Sequence, residues 1–390
     1  MKKLGIAIIG TGGISHYHLE GYLSDKHRCN IVALCDLYTE KCEKLASDYD
    51  IDTNSITITD DYKTLLDRDD IDVVSLCVPP SLHCQIACDF LLNGKNVLGE
   101  KPMAASLEEA DKMIAAQKKS GKLLGIISQN RFRESAWKVK KMLDSGIFGK
   151  VYMTRVNSMW FRGLKYYDLW WRGTWEKEGG GCTLNHSVHQ IDMLNWFIGM
   201  PEKITSVFAN VAHNNSEVED CGMSILEYPG ALAQINVSLN DMNEKQEMVF
   251  DCENCSVSIP WDIHCMKALP NGFCTPDPES EKKFQKIYDE TEGLNGREAH
   301  SAEIKNYLDA IEGKDELVVT SEDGRHALEL IYSIYKSATI RETVSLPLKE
   351  DDDFYRKETI LTRVPHFYEK TGNLENAEGD ITTGNMKEGK

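Results

Sequence analysis

No apolar run in this sequence approaches the roughly 18 residues that cross a bilayer as a helix, so no membrane span is expected. An excess of positive charge is missing too: 44 Lys and Arg stand against 62 Asp and Glu, a formal net charge of −18. A surface of that sign repels nucleic acid and anionic membrane, and small anions are expected only where backbone N–H groups or basic side chains overcome the field. The opening "MKKLGIAIIG" sets two lysines before an apolar run, but the run breaks at Gly10 and no small-residue cleavage site follows. It therefore reads as a strand and not as a signal peptide. Twelve cysteines without such a leader indicate reduced thiols in a cytosol, not a disulfide scaffold. Cys252 and Cys255 form a single CxxC with no second pair, and they sit among strand-like residues instead of in a metal or redox loop.

What is present suits a soluble chain of two domains: 390 residues, 41% hydrophobic and 27% charged. "LGIAIIGTGGISHYHLEGYL" reads as a strand from Leu4 to Ile9, a glycine turn, and a helix beginning near Gly13. The turn, Gly10-Thr11-Gly12-Gly13-Ile14-Ser15, is G-x-G-x-x-G with serine at the third glycine. Such a turn brings the backbone close to a pyrophosphate, which rests on the N–H groups and positive end of the helix. A second strand, "IVALC", ends at Asp36, 26 residues after Gly10. An acid there accepts from both ribose hydroxyls and repels a 2′-phosphate; Leu37 and Tyr38 follow where an arginine would favour NADP, so NAD is the expected cofactor. The plainer reading of Asp36 is a surface cap on the helix "TEKCEKLASDY".

Strands ("DVVSLCVPP", "NVLGEKP", "KLLGIIS") continue to alternate with helices ("SLHCQIACDFLLNG", "SLEEADKMIAAQKKSG"), the second helix opening on a Ser106–Glu109 capping box and stopping at glycine. That rhythm implies a doubly wound parallel sheet. Its ligand crevice lies beyond the carboxyl ends of the strands, where Pro79, Pro80, Glu100, Lys101 and Pro102 fall. A lysine at such an end can hydrogen-bond a substrate hydroxyl; without context, Glu100 and Lys101 would be read as a surface salt bridge.

Downstream, "EGGGCTLNHSVHQIDMLNWFIG" (residues 178–199) packs four glycines, two histidines, two asparagines and an aspartate into one helix-length window. His186, His189 and Asp192 are three apart, a spacing a metal accepts, but no further ligand cluster appears and no metal is expected. Before it runs "MWFRGLKYYDLWWRGTW", with seven aromatics in seventeen positions. Aromatic faces stack on sugar C–H faces and an arginine holds hydroxyls or an acid, so Tyr167, Trp171, Arg172 and Trp175 are the expected substrate contacts; sheet core and subunit interface are the competing reading. "QNRF" (129–132) is expected to line the cofactor cleft.

Taken in order, "GIAIIGTGGISHYH", "CDLYTEKCEKLA", "VPPSLHCQIA", "GEKPMAASLEEA", "LNHSVHQIDMLNWFIG", "EVEDCGMSILEYPGALAQI", "AHSAEIKNYLDAI" and "TSEDGRHALELIYSIYKSA" resemble the glucose–fructose oxidoreductase / inositol dehydrogenase / rhizopine-catabolism (Gfo/Idh/MocA) family over nearly all of residues 4–348. The resemblance implies an α/β protein: a Rossmann domain over 1–128, an α/β domain over 129–350 with a large, mostly antiparallel open sheet for substrate and for a homodimer or homotetramer, and a partly flexible extension over 351–390. It places Gly10, Gly12, Gly13, Ile14, Asp36, Pro79, His83, Glu100 and Lys101 at the cofactor, and Asn185, His186 and His189 with the four aromatic-segment residues at the substrate.

In family members that oxidise polyols, the pattern G-G-x-x-x-[DN]-x-x-x-H-x-x-D supplies the chemistry, and here it falls on Asn185, His189 and Asp192. His189 is then the general base, Lys101 steadies alkoxide character, and Asp192 either orients the imidazole or serves helix packing. Many polyol dehydrogenases carry Asp where this chain has Asn185, and an amide cannot carry a proton. The expected activity is NAD-dependent oxidation of a secondary hydroxyl, C3 being favoured, of a sugar or glycoside. The alternatives are a redox-neutral glycosidase or lyase that uses bound NAD transiently, and a non-catalytic NAD- or sugar-sensing protein.

Overall fold

The computed structural model describes residues 3–372. Their contacts divide them into two compact units, residues 3–128 with 299–328, and residues 129–298 with 329–372.

The first unit is built on β1 (Leu4–Ile9), α1 (Ser15–Leu23), β2 (Cys29–Cys35), α2 (Thr39–Asp48), β3 (Thr57–Thr59), β4 (Val73–Leu76), α3 (Pro80–Leu92), β5 (Asn96–Gly99), α4 (Leu107–Ser120) and β6 (Leu124–Ile126). β1 is apolar without alternation and buried from Gly5 to Ile9, as a strand covered on both faces must be. The sheet order is β3-β2-β1-β4-β5-β6, every neighbouring pair parallel. Register levels the strand ends: Ile9 pairs with Cys35 and Leu76, Leu76 with Gly99, and Gly99 with Ile126. The residues following β1, β2, β4 and β5 therefore emerge on one edge, and the strand order reverses between β1 and β4. α4 forms as expected: the Ser106 side chain accepts from Glu109 N, Glu109 reaches back to Ala105 N, and Gly121 closes the helix at φ 65°.

The second unit begins with α5 (Glu134–Asp144), β7 (Val151–Met159), α6 (Cys182–Asn185) and α7 (Val188–Ile198). It continues through β8 (Lys203–Ala209), β9 (Cys221–Tyr228), β10 (Ala231–Ser238), β11 (Gln246–Cys252), β12 (Ser256–Ile259) and β13 (Asp262–His264). A small hairpin of β14 (Met266–Ala268) and β15 (Cys274–Pro276) precedes α8 (Pro278–Glu290). Its eight-stranded sheet runs β13-β12-β11-β7-β10-β9-β8-β16, with β16 at Val344–Ser345, and only the β7–β10 pair is parallel. Burial alternates strictly along β8, so the sheet has one core face and one outer face. The outer face keeps Val207, Met223, Ile225 and Leu232 half or more exposed.

Two features depart from the sequence-based division. Residues 299–328, expected in the second domain, pack with the first: α9 (Ala299–Ile311) drives Ile304, Tyr307 and Leu308 into the core of Ile6, Ile8, Leu19 and Tyr22. A Cβ on Gly21 of α1 would lie 2.4 Å from Ile304 Cδ1, so the helix pair needs that glycine. α10 (Ser321–Ile340) is divided, its residues from Glu329 onward belonging to the second unit. The stretch after 350 is also not loosely held as far as 372: Phe354, Tyr355 and Val364 are buried, and α11 (Lys357–Arg363) buries Ile360. A few apolar anchors inside a polar stretch suffice to dock it, and average composition hides them. The glycine-rich end, 373–390, lies outside the described residues.

Candidate active site

On the strand edge of the first unit, Gly10 holds φ +91°, and a Cβ there would sit 2.5 Å from Cys77 O. Gly12 differs: a Cβ on it would meet nothing within 4 Å. The fold needs glycine at position 10; at position 12 the open space suits a ligand's phosphates. α1 starts at Ser15, not at Gly13, and Ser15 Oγ donates to Gly12 O at 2.6 Å. Ile14, at its N-cap, offers no side-chain cap, so no side chain competes for the helix's first N–H groups. Asp36 Oδ2 accepts from Thr11 N at 2.8 Å and Oδ1 from Tyr38 N at 3.0 Å, which ties the acid to the glycine turn. An uncapped helix start, an unfilled glycine and a half-buried acid at the next strand end fit a dinucleotide.

Beyond β5, the Lys101–Pro102 peptide is cis and Lys101 is half-buried. Behind it lies a buried polar chain. Glu100 Oε2 accepts from Lys101 N at 3.2 Å, and Glu100 Oε1 lies 3.0 Å from His18 Nε2 and 3.6 Å from His300 Nε2. His18 Nδ1 lies 3.0 Å from Ser75 Oγ, which meets Tyr22 OH at 2.8 Å. Burial alone would raise the Glu100 carboxyl, but His18 and His300 hold it well below the usual carboxylate range. Burial would likewise lower His18, yet Cys77 and Glu100 push it up to about 10. Glu100 is thus a buried anion that fixes the Lys101 backbone, not a partner in a surface salt bridge. His83, expected at the cofactor, is 1% exposed, with Nε2 2.8 Å from Val78 O and Nδ1 3.0 Å from Pro102 O. It braces the ends of β4 and β5; burial lowers its affinity for a proton, so a neutral ring donates to one carbonyl at a time. Pro79 stands exposed at the N-cap of α3 on the same edge.

In the second unit the window 178–199 is not one helix. Asn185 ends α6, His186 and Ser187 intervene, and His189 lies in the first turn of α7. His189 and Asp192, three apart in α7, share one helical face, and Asn185 lies outside that helix. Asn185 Nδ2 donates to Gly180 O at 2.9 Å and Gly181 O at 3.2 Å. An aspartate has no proton to give those carbonyls, which is a physical reason for the amide. Asp192 takes part in packing: Arg131 Nε donates to Oδ2 at 2.8 Å and Nη2 to Oδ1 at 2.7 Å, with both side chains buried. That pair pins α7 to the turn holding "QNRF", so Arg131 is a strut and not a cleft-lining residue.

Two glycines of this window approach the protein's own atoms closely: a Cβ on Gly180 would lie 2.3 Å from Tyr335 OH and one on Gly181 2.1 Å from the backbone carbonyl of Glu219. Glu219 accepts from Gly181 N, Thr183 N and Tyr335 OH, and burial pushes its carboxyl up to about 7 against those donors.

Of the aromatic segment, two expected contacts belong to the core. Tyr167 is 1% exposed, edge-on to Tyr166 and His213, and Trp175 donates from Nε1 to Pro365 O at 3.0 Å. Arg172 is buried between the rings of Tyr166 and Trp171, at 4.2 and 4.1 Å, and pairs with Glu178 at 3.0 Å. Trp171 stays half-buried, and His186 packs against Trp160 and Tyr166. Sequence reading missed His18, Ser75, His300, Glu178, Glu219 and Tyr335, which no motif spacing links. Among the described residues, no group of three or more His, Cys, Asp or Glu is placed to hold a metal, and no helix is long and apolar enough to cross a membrane.

Comparison with known proteins bears on the same residues. A model described as an oxidoreductase family with an NAD-binding Rossmann fold matches residues 4–128, and a GFO/IDH/MocA C-terminal domain model matches residues 136–258. D-glucoside 3-dehydrogenase of Escherichia coli is 24% identical over 354 residues, covering 88% of this chain and 98% of that one. 2,7-Anhydro-N-acetylneuraminate hydratase of Mediterraneibacter gnavus is 29% identical over 222 residues, 56% of each chain. Among solved structures, the WlbA dehydrogenase of Bordetella pertussis, in complex with NADH and UDP-GlcNAcA, superposes with a TM-score of 0.75 at 26% identity, covering 89% of this chain and all of that one.

Proposed function

Since the chain belongs to the Gfo/Idh/MocA family of oxidoreductases, we propose that it oxidises a secondary hydroxyl, at C3, of a sugar or glycoside, with NAD as acceptor. The observation that carries this reading is Lys101 on the strand edge that also carries the glycine turn and Asp36, its amide fixed by the buried anion of Glu100. The relatives named for glucoside oxidation and for NADH with a nucleotide sugar support the substrate class. Asp36, followed by Leu37 and Tyr38, supports NAD over NADP.

Gly10, Gly12, Gly13, Ile14, Asp36 and Pro79 would hold the dinucleotide, which supplies the hydride acceptor when bound. His189 takes the hydroxyl proton as hydride leaves the same carbon, and the Lys101 ammonium donates to the developing alkoxide. Asn185, tied through its amide nitrogen, keeps its carbonyl oxygen as an acceptor for a sugar hydroxyl. Trp171 offers a ring face to the sugar, beside Arg172 and His186. The outer face of the eight-stranded sheet, with Val207, Met223, Ile225 and Leu232 exposed, is the proposed contact between copies in a homodimer or homotetramer.

The test is NADH formation with a panel of glycosides, product analysis by mass spectrometry, and Lys101→Ala and His189→Ala variants. Both variants should still bind NAD while losing roughly 10²–10⁴-fold in turnover. Variants that match wild type would end the catalytic assignment. The resemblance to a hydratase favours one second reading, transient oxidation with NAD retained. Glycoside cleavage without NADH accumulation would decide for it.

A further inference from the structure

Residues 365–372 are hydrogen-bonded to the segment 163–178 both directly and through Asn215. Trp175 Nε1 donates to Pro365 O, and Phe367 N donates to Glu217 O at 3.0 Å. Asn215 Oδ1 accepts from Thr371 N and Gly372 N, both at 2.8 Å, while its Nδ2 donates to Asp168 Oδ1 at 3.1 Å. At the centre, Lys370 Nζ donates to Tyr167 O and, at 2.9 Å, to Leu169 O. Asp168, Glu178 and Glu217 surround this ammonium with negative charge, opposing the burial that lowers its proton affinity.

The effect reaches Arg172 in two steps. Glu178, buried, pairs with Arg172 Nη1 and accepts from Gly173 N at 2.5 Å. Burial raises the Glu178 carboxyl, and Arg172 and Lys370 together oppose that rise. Without Lys370 two buried carbonyls lose a donor, Glu178 loses a counter-charge, and the guanidinium between Tyr166 and Trp171 loses part of its anchor.

We propose that Lys370 is a positioning residue, a tethered cation on a C-terminal strap that fixes residues 163–178 and so the way Trp171 and Arg172 meet a sugar ring. The substrate part rests on the sugar-oxidoreductase reading above; the hold on the segment does not. The test compares full-length Lys370→Met, Asn215→Ala and Lys370→Arg with wild type. Hydrogen exchange is followed in peptides from 163–178 and from 4–35, and NADH formation is measured with methyl β-D-glucopyranoside as the probe. Lys370→Met and Asn215→Ala should speed exchange in 163–178 by about tenfold or more, leave 4–35 unchanged, and raise the apparent sugar KM about tenfold with kcat within about twofold; Lys370→Arg should restore both. Wild-type exchange in 163–178, or an equal rise in both peptides, overturns the proposal. Faster exchange in 163–178 with no glucoside oxidised even by wild type supports the strap and counts against the sugar reading.

Discussion

Replacing Asp192 with alanine leaves the Arg131 guanidinium in place without its carboxylate. The pair is buried, with side chains 1% and 5% exposed, and joined by two parallel charge-assisted bonds of 2.8 and 2.7 Å. The guanidinium then loses both bonds to its counter-charge inside a buried site, and breaking such a pair costs about 3–5 kcal/mol. For a unit of this size that is a fall in Tm of roughly 10 °C. The assay is built into the chain: all seven tryptophans fall within residues 137–261, so their fluorescence reports unfolding of the second unit alone. The double variant Arg131→Met/Asp192→Leu should recover most of the loss, because both charges leave together and the methionine still packs towards Trp196. A loss under about 1 kcal/mol for Asp192→Ala, or additive losses in the double variant, would refute the strut.

Three further outcomes follow from the geometry. Gly10→Ala should lower stability by several kcal/mol, since its Cβ meets Cys77 O at 2.5 Å, whereas Gly12→Val should unfold like wild type and bind NAD at least about tenfold more weakly; calorimetry and titration separate them. Asn185→Asp should cost about 1–3 kcal/mol at pH 8, where a carboxylate faces Gly180 O and Gly181 O, and the deficit should shrink towards pH 4 as the acid protonates; equal Tm at pH 8 refutes it. His18 is raised from 6.5 to about 10, so its contribution is complete below pH 6.5 and is lost as pH rises through 10. Scanning calorimetry should show wild type losing on the order of 4 kcal/mol across that window relative to His18→Gln; parallel pH curves would contradict the buried pair.

Much of this molecule is legible in its sequence. Strand runs, the Ser106 capping box and the glycine stop of α4 are local signals, set by side-chain periodicity and backbone conformation within a few residues. The glycine turn and Asp36 were equally readable, because a strand, a turn and an acid at the next strand end constrain one another through sheet register alone. The window 178–199 is long enough for one helix, and nothing local announces the break at His186–Ser187, beyond which α7 begins; Asn185, at the end of α6, turns its amide onto the glycine carbonyls.

The sequence by itself determined the parallel sheet, the second sheet and the glycine turn with its acid at the next strand end. Tertiary structure alone decided which polar groups share a burial site. His18, Glu100 and His300 are 82 and 200 residues apart along the chain, Asp192 lies 61 from Arg131, and Lys370 lies 203 from Tyr167. Such partners leave no periodic trace, because a buried charge demands a counter-charge in space, and the chain can bring it from any distance.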